Sequence, residues 1–257
     1  MRVFSYENRL KRSDRMAKTL RPLIAANWKM HGDLSWVFKP ADFNLLYPVS
    51  DREHLDVLIC PPATLVAPML DTDQTGVLIG GQDCHANAKG AHTGNISADM
   101  LKDAGAAYVI VGHSERRAEG DTNEDVHAKA KAAAKAGLIP IICVGETEAE
   151  RDAGKAKAVV EAQIKASVPK IKEYVIAYEP VWAIGTGKTA TPEDVDDMHN
   201  AIRAQVGAKV RLLYGGSVKP GNAQELLALK NVNGALIGGA GLEMDSLAEI
   251  AKLAPKN

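Results

Sequence analysis

The sequence has little that would cross-link it, carry it through a membrane or attract a charged polymer. Its three cysteines, Cys60, Cys84 and Cys143, form no Cys-x-x-Cys pair, which argues against a disulfide framework or a thiolate zinc site. No apolar run approaches the roughly 20 residues that span a bilayer. The formal net charge is −1, so no overall field attracts nucleic acid or acidic lipid. We expect no nucleic-acid partner, no membrane partner, and a reducing compartment such as the cytoplasm.

The first twenty residues differ in composition from the rest of the chain. They contain six basic and two acidic residues, and they lack the apolar core of a secretory signal. A targeting or nucleic-acid-binding arm remains open as an interpretation, but the composition favours a frayed tail. We therefore expect a basic, flexible extension over residues 1–20 and one catalytic domain over residues 21–257.

From Pro22 onward, short apolar runs alternate with longer segments of helical character. The eight predicted strands are Leu23–Ala26, Val57–Cys60, Val77–Gly80, Tyr108–Val111, Ile139–Val144, Val175–Tyr178, Val210–Tyr214 and Ala235–Ile237. The clearest predicted helices are Glu124–Lys135, Glu148–Ser167, Pro192–Val206, Ala223–Leu229 and Asp245–Leu253. Strands alternating with helices pair in parallel. Eight such units predict a single-domain α/β protein, a closed (β/α)8 barrel, with its chemistry at the carboxyl ends of the strands.

A carboxylate stands at the end of the sixth predicted strand. Glu179 is followed by a segment with bulky apolar residues in its middle and Gly185-Thr186-Gly187 at its far end. Loops with apolar middles are typical of functional lids, so the pattern predicts a base that can be covered and kept dry. The alternative is a surface loop whose Glu179 makes an ion pair.

The end of this segment also permits a rival interpretation. Gly185–Thr189 is similar to the tail of a nucleotide-binding P-loop, but Trp182 stands where that motif requires its first glycine. A nucleotide-binding module is therefore disfavoured.

Other strand ends carry residues suited to an anionic carbonyl substrate. Lys29 would place an ammonium at the barrel mouth, with Asn27 as a neutral hydrogen-bonding group beside it; an ordinary surface lysine is the alternative. His113 precedes Ser-Glu-Arg-Arg, which is predicted to begin a helix. A helix N-terminus disfavours a positive imidazole, so we expect a neutral His113 that donates a hydrogen bond, rather than an ordinary core histidine.

Glycine pairs follow the last two predicted strands. Gly215-Gly216 precedes Ser217, and Gly238-Gly239 follows the eighth strand. Glycines let backbone N–H groups approach an anion closely, and barrels commonly bind phosphate after strands seven and eight. These pairs predict a phosphate site, although either pair alone would indicate only a turn.

Tyr178–Lys188 resembles the catalytic strand and mobile lid of the triosephosphate isomerase family. The resemblance covers nearly the whole chain from Pro22 and rests on four separated motifs. It implies that Glu179 is the catalytic base, that His113 and Asn27 stabilise enediolate oxygens and that Lys29 balances the substrate's charge. The substrate-binding set then comprises Asn27, Lys29, Gly185, Ser217, Gly238 and Gly239.

Two further residues are expected close to this set. Glu115 should hydrogen-bond Lys29 or a neighbour, and Cys143 should be a small buried apolar residue rather than a nucleophile. The spacing of Cys84, His85 and His92 fits no standard metal site, and we expect neither a metal nor an organic cofactor.

The resemblance also implies a partner and a reaction. In that family, the loop corresponding to residues 82–97 reaches into a second subunit, so a homodimer is expected. Asn95 stands where the family normally has an acid that pairs with the partner's arginine, which removes a charge-assisted contact. The implied activity is an aldose–ketose isomerase of glycolysis and gluconeogenesis, interconverting dihydroxyacetone phosphate and D-glyceraldehyde 3-phosphate. The alternative is a barrel that binds phosphosugar without turnover and acts as an interaction protein.

Overall fold

The structure is a computed structural model that describes residues 20–72, 75–184 and 188–256. The expected extension over residues 1–20 therefore lies outside the described residues except for Leu20. The expected phosphate contact at Gly185 also lies outside them.

Within the described residues, eight parallel strands close into a barrel in sequence order, β1 to β8, with β1 paired to β8. They are β1 Leu23–Asn27, β2 Asp56–Cys60, β3 Leu78–Gly81, β4 Tyr108–Val111, β5 Ile139–Val144, β6 Val175–Tyr178, β7 Arg211–Tyr214 and β8 Gly234–Ile237. Every predicted strand is present within one residue at each end. The predicted closed (β/α)8 barrel is confirmed.

Helices connect the strands and surround the barrel. In the described ranges they are α1 Lys39–Leu46, α2 Ala63–Thr72, α3 Ala98–Asp103, α4 Ser114–Ala118, α5 Asn123–Ala136, α6 Glu148–Asp152, α7 Ala156–Ser167, α8 Pro192–Val206, α9 Pro220–Leu227 and α10 Met244–Lys252. Short 3-10 turns occupy Leu34–Phe38, Val49–Arg52, Val181–Ala183 and Gly239–Gly241. The prediction of one helix over Glu148–Ser167 was wrong, because Gly154 adopts a left-handed backbone with φ 69° and separates α6 from α7.

Side chains at the helix starts explain where several helices begin. Thr122 and Asp125 form a reciprocal capping box at α5, and Thr191 with Asp194 forms another at α8, where Pro192 fills the first helical position. These contacts satisfy N–H groups that have no partner within the helix. They fix where the helix before β5 and the helix after β6 begin.

The strands are buried on both faces. One set of side chains fills the barrel interior, including Cys60, Ile110, Cys143 and Ala177. A larger set packs between strands and helices. This double burial explains the nearly continuous apolar runs in the sequence, and it places Cys143 where a small apolar residue was expected.

None of the helices in the described ranges combines the length and the hydropathy of a membrane-spanning segment.

Candidate active site

A cavity of 590 Å³ opens at the carboxyl ends of the strands. Seven of the predicted site residues line it together: Asn27, Lys29, His113, Glu179, Ser217, Gly238 and Gly239. They come from five different strand ends, so only closure of the barrel brings them together. Glu115 lines a smaller neighbouring pocket of 280 Å³ beside Lys29.

The Glu179 carboxylate lies directly after β6 and is almost fully buried, with 2% of its surface exposed. Its Oε2 accepts a 2.9 Å hydrogen bond from the backbone N–H of Ser114, at the start of α4. Its Oε1 lies 3.0 Å from Nε2 of His113 but accepts no well-aligned hydrogen bond from a described residue. One carboxylate oxygen is therefore anchored by a backbone N–H, and the other is buried beside His113 without an aligned donor among the described residues.

His113 is the N-terminal capping residue of α4. Its Nδ1 accepts a hydrogen bond from the backbone N–H of Glu115 at 3.2 Å. A nitrogen that accepts carries no proton, so this contact assigns the neutral tautomer with its proton on Nε2. The proton-bearing nitrogen is the one that lies beside Glu179.

Lys29 is held in a left-handed backbone conformation with φ 51°. This conformation costs a non-glycine residue on the order of 1–3 kcal/mol. Two contacts stabilise it: the N–H of Lys29 donates to Oδ1 of Asn27 at 2.9 Å, and its carbonyl accepts from Nε2 of Gln82 at 2.7 Å. The same Gln82 nitrogen donates to the carbonyl of Cys60 at 2.9 Å, which ties Lys29 to β2.

The Lys29 ammonium contacts Glu115 at 2.5 Å, in the position expected for that carboxylate. Burial acts to raise the pKa of Glu115, but the hydrogen bond from Lys29 and nearby positive charge bring that pKa below its usual value. The Glu115 carboxylate is half exposed, so water can replace Lys29 as its partner when an anionic ligand binds the ammonium.

The opposite side of the cavity is made of glycine backbone. A side chain at Gly239 would point into open space, and one at Gly238 would lie 3.4 Å from Cε of Lys29. The 3-10 turn Gly239–Gly241 begins there, and the first N–H groups of such a turn have no partner within the turn. The lysine stem thus lies against the same backbone that could bind a phosphate.

The described ends of the lid segment contact the rest of the site. Ser217 Oγ donates to the carbonyl of Ala183 at 3.0 Å, and Lys188 forms an ion pair with Glu148. The fully buried Glu146 accepts hydrogen bonds at Oε1 from Tyr178 Oη at 3.1 Å and Trp182 Nε1 at 2.8 Å. The end of β6, just before Glu179, and the first residues of the lid therefore share one carboxylate.

Sequence reasoning assigned no role to Glu146, Gln82 or Arg117. The Arg117 guanidinium donates to the carbonyls of Gly112 and Cys143 at 2.9 and 3.1 Å and to Asn123 at 2.8 Å. It therefore joins the ends of β4 and β5 to the start of α5. The run of two arginines after His113 was the only available signal, and it gave no indication of which neighbours they contact.

The thiol of Cys143 is unsuited to nucleophilic attack. Burial raises its pKa well above the usual value, and the nearby Glu179 charge acts in the same direction. No group of three or more described His, Cys, Asp and Glu side chains is arranged to hold a metal ion.

Comparison with known proteins gives the site a family context. The triosephosphate isomerase family model matches residues 22–254. The chain is 52% identical to triosephosphate isomerase of Afipia carboxidovorans, over 93% of this chain and all of the relative, and 53% identical to that of Chelativorans sp., over 89% and 94%. The crystal structure of triosephosphate isomerase from Bartonella henselae superposes with a TM-score of 0.83 at 43% identity, covering 91% of this chain and 99% of that one. This chain is a member of the triosephosphate isomerase family.

Proposed function

We propose that the protein interconverts dihydroxyacetone phosphate and D-glyceraldehyde 3-phosphate through an enediolate, with Glu179 as the base. One observation carries the assignment of roles: a buried carboxylate and a neutral imidazole lie 3.0 Å apart at the head of the cavity. A carboxylate of this kind can remove a carbon-bound proton, and a neutral N–H can stabilise the oxygen that becomes negative.

The proton transfers balance without any external reagent. Glu179 removes a proton from C1 of the ketone, and the electron pair moves through the new C1–C2 double bond onto O2. The N–H of His113 Nε2 donates to O2, takes the proton of O1 in exchange, and so relays a proton between the two oxygens. Glu179 then returns its proton to C2, which leaves the aldehyde and restores both side chains.

Before it reaches the substrate, Glu179 has to rotate. Its Oε2 is held by the Ser114 N–H at 2.9 Å, whereas Oε1 has no aligned donor. A substrate carbon beside Oε1 would be within reach after a small rotation of the side chain. The hydrogen bond to Ser114 therefore supports a resting position that substrate binding replaces.

Charge balance comes from Lys29, whose ammonium would exchange Glu115 for the anionic substrate. The backbone N–H groups of Gly238 and Gly239, with Ser217 and Gly185, would hold the phosphate. Closure of Pro180–Lys188 would exclude water and prevent the enediolate from losing its phosphate group. Contacts of Glu146 and Ser217 with the described part of the lid support this role.

A coupled assay of the purified protein tests the proposal. Either triose phosphate should be converted at rates far above buffer, and Glu179→Gln should lower kcat roughly 10²- to 10⁴-fold, because the amide keeps the shape but cannot accept the proton. Glu193→Gln, an exposed change in α8, is the matched control. A parent rate no better than buffer would instead favour a non-catalytic phosphosugar-binding barrel.

We also propose a homodimer formed through the loop of residues 82–97. The tip residues Thr93 and Gly94 are exposed, and apolar side chains near the loop are uncovered, with Met30 94% and Met100 54% exposed. Burying such a patch stabilises an interface. Sedimentation equilibrium should give twice the mass of one chain, whereas a monomer at micromolar concentration would contradict the proposal.

The remaining proposals concern location and the N-terminal residues. Three cysteines, all buried and unpaired, support a cytoplasmic location. We propose that residues 1–20 form an extension separate from the catalytic domain. A chain starting at Arg21 should then keep the parent's kcat and KM, and a large loss of either would contradict that boundary.

A further inference from the structure

Gln163, in α7, pairs with both backbone polar groups of Gly145. The N–H of Gly145 donates to Oε1 of Gln163 at 2.8 Å, and Nε2 of Gln163 donates to the carbonyl of Gly145 at 2.9 Å. The side-chain amide thus satisfies both backbone hydrogen-bonding groups of Gly145, the residue just after β5, as a peptide group of a paired strand would. Both contacts are partly buried, so breaking them would leave backbone groups poorly satisfied.

Gly145 lies against the backbone of the base. A Cβ atom there would be only 1.7 Å from the carbonyl oxygen of Glu179. The N–H of Glu179 also donates to the carbonyl of Val144 at 2.8 Å. Any shift of Gly145 is therefore transmitted to the backbone that carries the Glu179 side chain.

The residue that follows Gly145 connects to the lid. The carbonyl of Glu146 accepts from the N–H of Val181 at 3.2 Å, and its carboxylate accepts from Trp182. Gly145 and Glu146 therefore contact both the base and the first turn of the lid. The Gln163 amide fixes this point from the outer, helical layer.

We propose that Gln163 is a positioning residue for the isomerisation, acting through Gly145 on the placement of Glu179. The inference rests on the proposed role of Glu179 as the base. Gln163 is not among the described residues that line the cavity, so it does not touch the substrate. Its contribution is to hold the base within the narrow range of positions that proton transfer requires.

The first test replaces the amide with an apolar group of similar size. Gln163→Leu should lower kcat roughly tenfold and leave KM within about twofold, because the phosphate contacts are untouched while the base is misplaced. The matched control is Gln205→Leu. Gln205, in α8, donates through its amide to the carbonyl of Glu161 in α7, the helix that carries Gln163, at an exposed contact. Loss of that contact should leave kcat unchanged.

The second test uses a side chain that can regain the lost contact. In Gln163→Glu, a protonated carboxyl can accept from the N–H and donate to the carbonyl of Gly145, as the amide does, whereas an ionised one repels that carbonyl. The kcat of this variant relative to the parent should be low at about pH 8 and recover as the pH falls toward the ordinary glutamate pKa of about 4.3, where the carboxyl becomes protonated. A purely structural loss would give no such recovery.

The outcomes separate this inference from the proposed function. An active parent with an equally active Gln163→Leu would overturn the positioning role and leave the function intact. If Gln163→Leu does not fold, the Glu variant decides, and a kcat ratio independent of pH would overturn the role. A parent without isomerase activity would overturn the proposed function and this inference together.

Discussion

A methyl group at Gly145 is expected to disable the site with little loss of fold. The added Cβ would lie 1.7 Å from the carbonyl oxygen and 2.7 Å from the carbonyl carbon of Glu179. Both neighbours are backbone atoms, so no side-chain rotation can relieve the clash. The backbone segments that carry Gly145 and Glu179 must separate by about 1.7 Å to reach an ordinary contact of about 3.4 Å. Since a misplacement of about 1 Å can cost roughly 100-fold in rate, kcat of Gly145→Ala should fall by about that factor.

The stability cost of the same change should be modest. Overpacking a well-ordered site costs typically about 1–3 kcal/mol, which thermal unfolding followed by circular dichroism would detect. Gly221→Ala is the matched control, because a side chain there meets nothing within 4 Å and its position in the first turn of α9 favours alanine by up to about 1 kcal/mol. Steady-state isomerase kinetics on both variants decide the matter. Parent-like kcat in Gly145→Ala would refute the claim that this contact sets the position of the base.

Three further predictions concern charges in and around the barrel. Burial lowers the pKa of His199 from an ordinary 6.5 to about 4. On acidification the unfolded chain therefore binds a proton at this site before the folded chain does. The free energy of unfolding should keep the full contribution of His199 above about pH 6.5 and fall by about 3 kcal/mol toward pH 4. Urea titrations of His199→Gln should show a shallower acid slope. Lys129 contacts Asp83 and Asp121 at 2.9 and 2.6 Å. Lys129→Met should therefore lower the free energy of unfolding by about 3–5 kcal/mol in the same urea titration. A loss below about 1 kcal/mol would contradict the pairing. Lys29→Ala should raise KM and lower kcat, each roughly tenfold, in steady-state assays; a change in neither would remove Lys29 from the site.

The strands were predictable because closure of the barrel buries them on both faces. Such burial demands runs of apolar residues, and the runs at Ile139–Val144 and Val175–Tyr178 coincide with β5 and β6. The helices before residue 110 were not predicted. α2 contains Pro68 in its interior, a residue that normally signals a helix end, and α3 spans only six residues. Tertiary packing outweighs local preference in both.

The side chains that face the cavity were predictable because each follows a strand end within a few residues. Glu179, His113 and Lys29 all follow this rule. The residues that hold them were not predictable. Gln163 acts on Gly145 from 18 residues away, and Gln82 acts on Lys29 from 53 residues away. Both act through backbone groups, which carry no sequence signal, so only the folded barrel reveals the pairs.

The central claim, that Glu179 transfers a proton between neighbouring carbons, is tested most directly by isomerisation in D₂O. A carboxylic acid proton exchanges with solvent, so the aldehyde phosphate formed from unlabelled dihydroxyacetone phosphate should carry deuterium at C2, as read by proton NMR after trapping the product. If the triose phosphates still lacked deuterium after many forward and reverse turnovers had brought them to equilibrium, hydrogen would pass directly between the carbons, and the account would be contradicted.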